Sequence, residues 1–147
     1  MAQLDDQELA SQLFNRCWDL LESTRSPDDD VELLTAAFAS RYHWSRVGDV
    51  EKHVVSDWMV ARAASAVGDG ELALRFAQRA HAVAQEIEGP DWLSASTAEG
   101  VARAHATKSD AAEFANWSAL ATRLIDVIAD PEDRDLIAGQ LAEIEAP

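Results

Sequence analysis

The sequence predicts an all-α fold of about seven antiparallel helices packed as pairs, within a single domain spanning residues 1–147. Strong helix formers dominate the chain, which is 48% hydrophobic and so can bury a core. Valine and isoleucine are scattered and never alternate as they do in strands. Capping signals divide the chain into helical segments joined by short turns, which favours antiparallel packing of neighbours.

Start and stop signals define each predicted helix. Ser26-Pro27 and Asp130-Pro131 each place a capping side chain before a proline suited to the first helical position. Gly48 is expected to end the second helix, and Asp91 to cap the fifth. Either Ser109 or Asp110 is expected to start the sixth. The predicted helices cover approximately residues 5–23, 27–47, 49–67, 71–88, 91–107, 109–129 and 130–143.

Charge and cysteine usage limit the classes of partner. The net charge is −15, from 27 acidic and 12 basic residues, so a surface this negative repels nucleic-acid backbones and anionic membranes. It is compatible with a basic partner, or simply with a solvated helical surface. The single cysteine, Cys17, lies among apolar residues and is expected to be a buried thiol. The acidic N-terminus and the absence of a long apolar run favour a cytoplasmic protein.

The third and fourth helices resemble one tetratricopeptide repeat. Ala61 and Ala64 provide small residues in the first helix of the pair, Gly68 lies in the turn, and Ala73 and Ala77 begin a small-residue ridge that continues to residue 80. The fifth and sixth helices echo this pattern through Ala98, Ala102, Ala111, Ala115 and Ala119. The resemblance implies a tetratricopeptide-like stack of helix pairs. One clear repeat favours a compact bundle over an open superhelix.

A second set of segments is similar to a family of uncharacterised bacterial proteins. The similar segments are residues 14–21, the Ala-Ser-Arg-Tyr-His-Trp run at 39–44, Asp57-Trp58, and Glu99 with residues 102–104. Phe38 stands where that family has histidine, so chemistry depending on that position does not transfer. The resemblance implies a helical fold and a bacterial origin, and it implies no reaction.

Several charges fall where helical packing favours apolar side chains. Arg41 lies inside the apolar arc of the second helix and Asp57 inside that of the third, while Glu99 and Arg103 flank Trp92 in the fifth. Because isolated buried charges are costly, we expect Arg41 to pair with Asp57, and Glu99 to pair with Arg41 or Arg103. The favoured interpretation is a structural ion-pair network. The alternative is a polar pocket edged by three tryptophans, in which an arginine binds an anion; they are Trp44, Trp58 and Trp92.

Two histidines occupy positions that could serve binding or metal coordination. His43 lies beside small residues and is a candidate for lining a groove, although packing against the small-residue face is the preferred interpretation. His53 is one helical turn from both Asp49 and Asp57, a spacing that a metal site could use, although an exposed polar stripe is the preferred interpretation. No catalytic residue, metal or cofactor is assigned, and enzymatic activity is left open. The candidate binding residues are Arg41, His43, Trp44, Asp57, Trp58, Arg62, Glu99 and Arg103.

Three functions fit these residues. The leading hypothesis is a protein- or peptide-interaction module whose binding face carries Trp58, Arg62 and Ser65 from the third helix and Ser96 and Arg103 from the fifth. The second is a small-molecule-binding protein or enzyme that uses a buried pocket of arginine, aspartate, glutamate and histidine. The third is a homodimer formed through the first or last helix.

Overall fold

The computed structural model describes residues 4–147, and this range folds into seven α-helices without a strand. The all-α prediction is therefore confirmed, and the seven helices lie close to their predicted positions along the chain. The helices are α1 (Asp6–Leu21), α2 (Pro27–Val47), α3 (Val50–Ala66), α4 (Gly70–Glu86), α5 (Asp91–Thr107), α6 (Ala111–Asp126) and α7 (Pro131–Ala142).

Capping side chains fix most helix starts. Asp5 accepts a hydrogen bond from the Glu8 backbone N–H at 2.8 Å while Glu8 bonds back to Asp5, and Ser26 forms the same reciprocal box with Asp29. These boxes satisfy backbone donors that the first turn leaves unpaired. Aspartate side chains cap four further helices, at Asp49, Asp69, Asp110 and Asp130.

The prediction that Asp91 caps α5 is wrong. Pro90 occupies the N-cap position in extended conformation, and Asp91 is the first helical residue. The Asp91 carboxylate instead accepts the Ala129 backbone N–H at 2.9 Å, which ties the start of α5 to the turn before α7. The predicted end of α6 is also late, because Val127 is already its C-cap.

The helices form three hairpins whose odd-numbered members lie side by side. The hairpins α1–α2, α3–α4 and α5–α6 are the most closely packed pairs, and α7 packs on α5 and α6. In addition α1 contacts α3, α3 contacts α5, and α5 contacts α7, which creates an inner layer of four helices. The even-numbered helices α2, α4 and α6 form an outer layer in which neighbouring helices meet only through side chains, such as Phe38 of α2 against Phe76 of α4 and His81 of α4 against Trp117 of α6. The central helices α3 and α5 are consequently buried on most sides.

Small residues allow close approach where α3, α4 and α5 meet. Ala61, Ala64, Ala73 and Ala77 are all buried there, together with Val101, which confirms the predicted register of the third and fourth helices. The predicted echo holds for α5, where Ala98 and Ala102 are buried. It is wrong for α6, where the three alanines named in the prediction are exposed and the buried residues are Ala121 and Ile125; the exposed residues are Ala111, Ala115 and Ala119.

Cys17 lies in the core between α1 and α2, where its thiol faces the Leu33 carbonyl oxygen at 4.0 Å. Burial raises the pKa of this thiol to about 11, because the thiolate would lose its hydration. The expectation of a buried thiol is therefore confirmed. No helix within residues 4–147 has the length and apolar character needed to cross a bilayer.

The α3–α4 crossing should not tolerate larger side chains. We expect Ala77→Leu to lower the free energy of unfolding by about 1–3 kcal/mol, since the added atoms have no space at this crossing. Ala115→Leu is the matched control: it makes the same change on an exposed helical surface and should stay within about 0.5 kcal/mol of wild type. Urea denaturation measures both, and equal stabilities for the two variants would contradict this packing.

Candidate ligand-binding groove

A groove runs along the inner layer between α1 and α7, with α3 and α5 as its floor. It consists of three adjoining cavities whose linings overlap. Trp18, Leu136 and Gln140 line the first and third cavities, whereas Arg62 and Glu143 line the second and third. We call this continuous feature the inner groove, and it has an apolar half and a polar half.

The apolar half is a cavity of about 300 Å³ with three tryptophans in its walls. Trp58 forms part of the floor, is only 8% exposed, and donates its indole N–H to the Ser96 carbonyl at 3.1 Å. Its ring lies 5.9 Å from that of Trp18. Gly100 leaves room for this indole, since a Cβ atom there would lie 3.1 Å from the Trp58 ring. The lining residues are Trp18, Val54, Val55, Trp58, Trp92, Leu93, Ser96, Thr97, Asp133, Leu136, Ile137 and Gln140.

A buried carboxylate holds the floor of the polar half together. Glu99 on α5 is 0% exposed, and its Oε1 accepts hydrogen bonds from Arg103 Nε at 2.9 Å and Arg103 Nη2 at 2.5 Å. The same Nη2 also donates to the Gln140 carbonyl of α7 at 2.9 Å. Arg103 therefore joins the buried charge of α5 to the backbone of α7. The prediction offered Arg41 or Arg103 as the partner of Glu99. The structure shows that the partner is Arg103, whereas Arg41 pairs with Asp57.

Arg62 reaches the same carboxylate from α3. Its Nη1 lies 3.8 Å from Glu99 Oε1, beyond hydrogen-bond distance, and its Nη2 lies 3.9 Å from Glu143. Burial lowers the pKa of Arg62 from its very high ordinary value, and the neighbouring Arg103 charge lowers it further. Among residues 4–147, Arg62 Nη1 and the nearby Ser65 hydroxyl have no hydrogen-bond partner. The polar half thus contains donor atoms that the fold does not use.

The rim of the inner groove is acidic. Asp133 lines the apolar half, and Glu22 and Glu145 line the polar half. None of these three forms an ion pair within the described part of the chain, whereas Arg25 at the same rim is paired with Asp30 at 2.7 Å. The charges that remain uncompensated at the rim are therefore negative.

A second polar cluster lies across α3 from the inner groove. The Asp57 carboxylate is 5% exposed and accepts Arg41 Nε at 2.5 Å and Arg79 Nε at 2.9 Å, one arginine on each oxygen. The predicted Arg41–Asp57 pair is thus confirmed. Arg79 was missed because it occupies an exposed position of α4 and gave no signal as a buried charge. These side chains border a cavity of about 180 Å³, lined by Arg41, Ser45, His53, Ser56, Asp57 and Arg79.

The remaining candidate residues lie apart from both sites. His43 donates from Nδ1 to Asp6 on α1 at 2.7 Å, and this hydrogen bond lowers the pKa of Asp6. Trp44 lies at the end of α2, where Lys52 rests over its ring at 5.4 Å. The alternative interpretation, one polar pocket edged by all three tryptophans, does not match the structure, because Trp58 and Trp92 line the inner groove and Trp44 does not. The predicted residues are separated because opposite sides of α3 pack on different helices: Asp57 contacts α2 and α4, whereas Trp58 contacts α1 and α5.

His53, the residue considered for a metal site, bonds to the backbone instead. Its Nε2 donates to the Trp44 carbonyl at 3.0 Å. Within residues 4–147, no group of three or more histidine, cysteine, aspartate or glutamate side chains is placed to hold a metal ion. The sequence also gave no indication that Leu136 and Gln140 would line the inner groove, because α7 has no clear apolar stripe.

Asp57 should matter more to stability than either of its arginines. We expect Asp57→Asn to cost about 3 kcal/mol, the low end for a broken buried pair, since both arginines keep access to solvent. Arg41→Met should cost about 1 kcal/mol, because Arg79 still pairs with the carboxylate. Denaturant unfolding measures each change, with exposed Asp19→Asn as the control. Wild-type stability for Asp57→Asn would contradict the cluster.

Comparisons of the chain with models of protein families, with curated proteins and with solved structures found no match. The function must therefore be inferred from the geometry and chemistry of the two sites. The inner groove is the larger of the two, and it contains four of the predicted binding residues; these are Trp58, Arg62, Arg103 and, in the buried floor, Glu99.

Proposed function

We propose that this protein is an interaction module that binds a peptide segment of a partner protein in the inner groove. The peptide would place a bulky apolar side chain in the apolar half and basic side chains against the rim. The observation that carries the proposal is the tryptophan-lined cavity of about 300 Å³, open between two helices of the inner layer.

The apolar half has the composition of an anchor pocket. Trp18, Trp58 and Trp92 line it together with aliphatic side chains, and aromatic pockets of this kind dominate binding energy at protein interfaces. Its volume lies at the small end of ligand pockets, which suits one or two side chains better than a large cofactor. Leu136 at its edge is 60% exposed, and a ligand would remove this apolar surface from water.

Charge supports a basic ligand. Asp133, Glu22 and Glu145 lack ionic partners in residues 4–147, and the chain as a whole carries a net charge of −15. A complementary partner would approach faster and with the correct orientation because of this field. The side-by-side inner helices also suit a peptide ligand, because stacked helix pairs bind extended segments along such a face.

Selection from a random peptide library displayed on phage tests the proposal. Enriched peptides should contain a tryptophan, phenylalanine or leucine flanked by lysine or arginine. Leu136→Ser should then weaken binding of a selected synthetic peptide about tenfold, as loss of an anchor contact does. Val127→Ser is the control, since Val127 is 71% exposed and lies outside the groove.

Two aspartates of α7 provide a variant and a control that test the preference for a basic ligand. Asp133→Asn should weaken binding of the same peptide, whereas Asp135→Asn, which removes the same charge from an exposed position outside the groove, should not. Fluorescence anisotropy measures both affinities. The proposal fails if no peptides are enriched, if Leu136→Ser binds as well as wild type, or if light scattering shows a homodimer whose interface occupies the groove.

A further inference from the structure

We propose that the cavity between α2, α3 and α4 binds a tetrahedral oxyanion, such as a phosphate or sulfate group, between the guanidinium groups of Arg41 and Arg79. This site is independent of the inner groove, since it shares no lining residue with any of the three groove cavities. Its ligand has the opposite charge to the basic peptide proposed for the groove.

Asp57 holds both arginines in place while leaving their outer edges unused. Each guanidinium donates its Nε to a different oxygen of Asp57, and within residues 4–147 neither uses an Nη atom in a hydrogen bond. Arg41 also lies over the Phe76 ring at 5.4 Å, and Phe76 in turn packs edge-on against Phe38. The orientation of Arg41 is thus fixed before a ligand arrives, which reduces the entropy lost on binding.

The other polar groups of the cavity are already engaged. The Ser45 and Ser56 hydroxyls donate to backbone carbonyls, at 2.5 Å and 2.8 Å, and His53 Nε2 donates to the Trp44 carbonyl. The donors that remain free in the lining therefore belong to the two arginines. With two guanidinium charges and one carboxylate, the charged side chains of the lining carry a net charge of +1 in a protein whose total is −15.

The chemistry of the donors selects the ligand. Guanidinium groups present paired N–H donors that match the oxygens of phosphate or sulfate, and such charge-assisted pairs are stronger than neutral hydrogen bonds. The cavity of about 180 Å³ exceeds the space of a single water, about 30 Å³ in the liquid, and so can admit an oxyanion. Arg79 is 61% exposed in its side chain, which leaves the site accessible from solvent.

Titration with inorganic phosphate, followed by ¹H–¹⁵N NMR, tests the site directly. Phosphate should produce saturable shifts in the arginine Nε–H signals and in α2, α3 and α4, compared with sodium chloride at equal ionic strength. Arg79→Gln should weaken phosphate binding about tenfold, because one charge-assisted pair is lost. Arg41→Lys, which keeps the charge but loses the paired donors, should also weaken it.

Arg75→Gln is the matched control. Arg75 is an exposed arginine one helical turn before Arg79 on the same helix, and it does not line the cavity. Its removal changes the net charge equally and should leave phosphate affinity unchanged. The proposal is overturned if wild type shows no saturable shifts, if the shifts map to other helices, or if Arg75→Gln and Arg79→Gln weaken binding equally.

Discussion

The buried carboxylate of Glu99 is the charge on which the inner layer depends. It lies at the centre of α5, fully enclosed, and it is compensated by Arg103 of its own helix and Arg62 of α3. Arg103 then donates to the backbone of α7. One carboxylate thus links three of the four helices that form the inner groove. Removing either the Glu99 carboxylate or its arginines would leave the remaining charge buried without an ionic partner. Such a change is among the most destabilising in a protein.

The two proposed sites share α3 and differ in the side of it they use. Asp57 points toward α2 and α4, where it positions two arginines, whereas the adjacent Trp58 points toward α1 and α5 and forms the groove floor. Consecutive residues of a helix are separated by about 100° around its axis, so neighbours reach different packing partners. A helix enclosed on most sides can therefore support two separate sites of different chemistry.

Much of the fold could be predicted from the sequence because the helix caps are local signals. Ser26 and Asp130 act next to the helices they start, and no distant contact is needed to recognise them. Asp91 shows the limit of this reasoning, since its carboxylate serves a distant backbone N–H instead of its own helix. The small residues at the α3–α4 crossing could also be predicted from the sequence, because close helix packing requires them.

The candidate sites were only partly predictable. Arg41, Asp57, Glu99 and Arg103 were identified because they are charged residues at positions where helical packing favours apolar side chains. The position of a residue around its own helix, however, does not give its distance from residues of other helices. Arg79 is exposed and does not lie within an apolar arc, so the sequence pattern did not identify it, although it completes the Asp57 cluster. The residues of α7 that close the inner groove depend on how the last helix docks on α5 and α6, which no local pattern specifies.

Hydrogen–deuterium exchange measured by mass spectrometry on Glu99→Gln tests the central role of this carboxylate. The substitution preserves shape and removes the charge, so Arg62 and Arg103 would face each other with only the exposed Glu143 carboxylate, 3.9 Å from Arg62, as a counterion. We expect exchange to increase in α7 more than in the α1–α2 hairpin, with the exposed variant Glu86→Gln matching wild type throughout. Unchanged protection of α7 in Glu99→Gln would contradict the account, because the inner layer would then hold together without the buried charge.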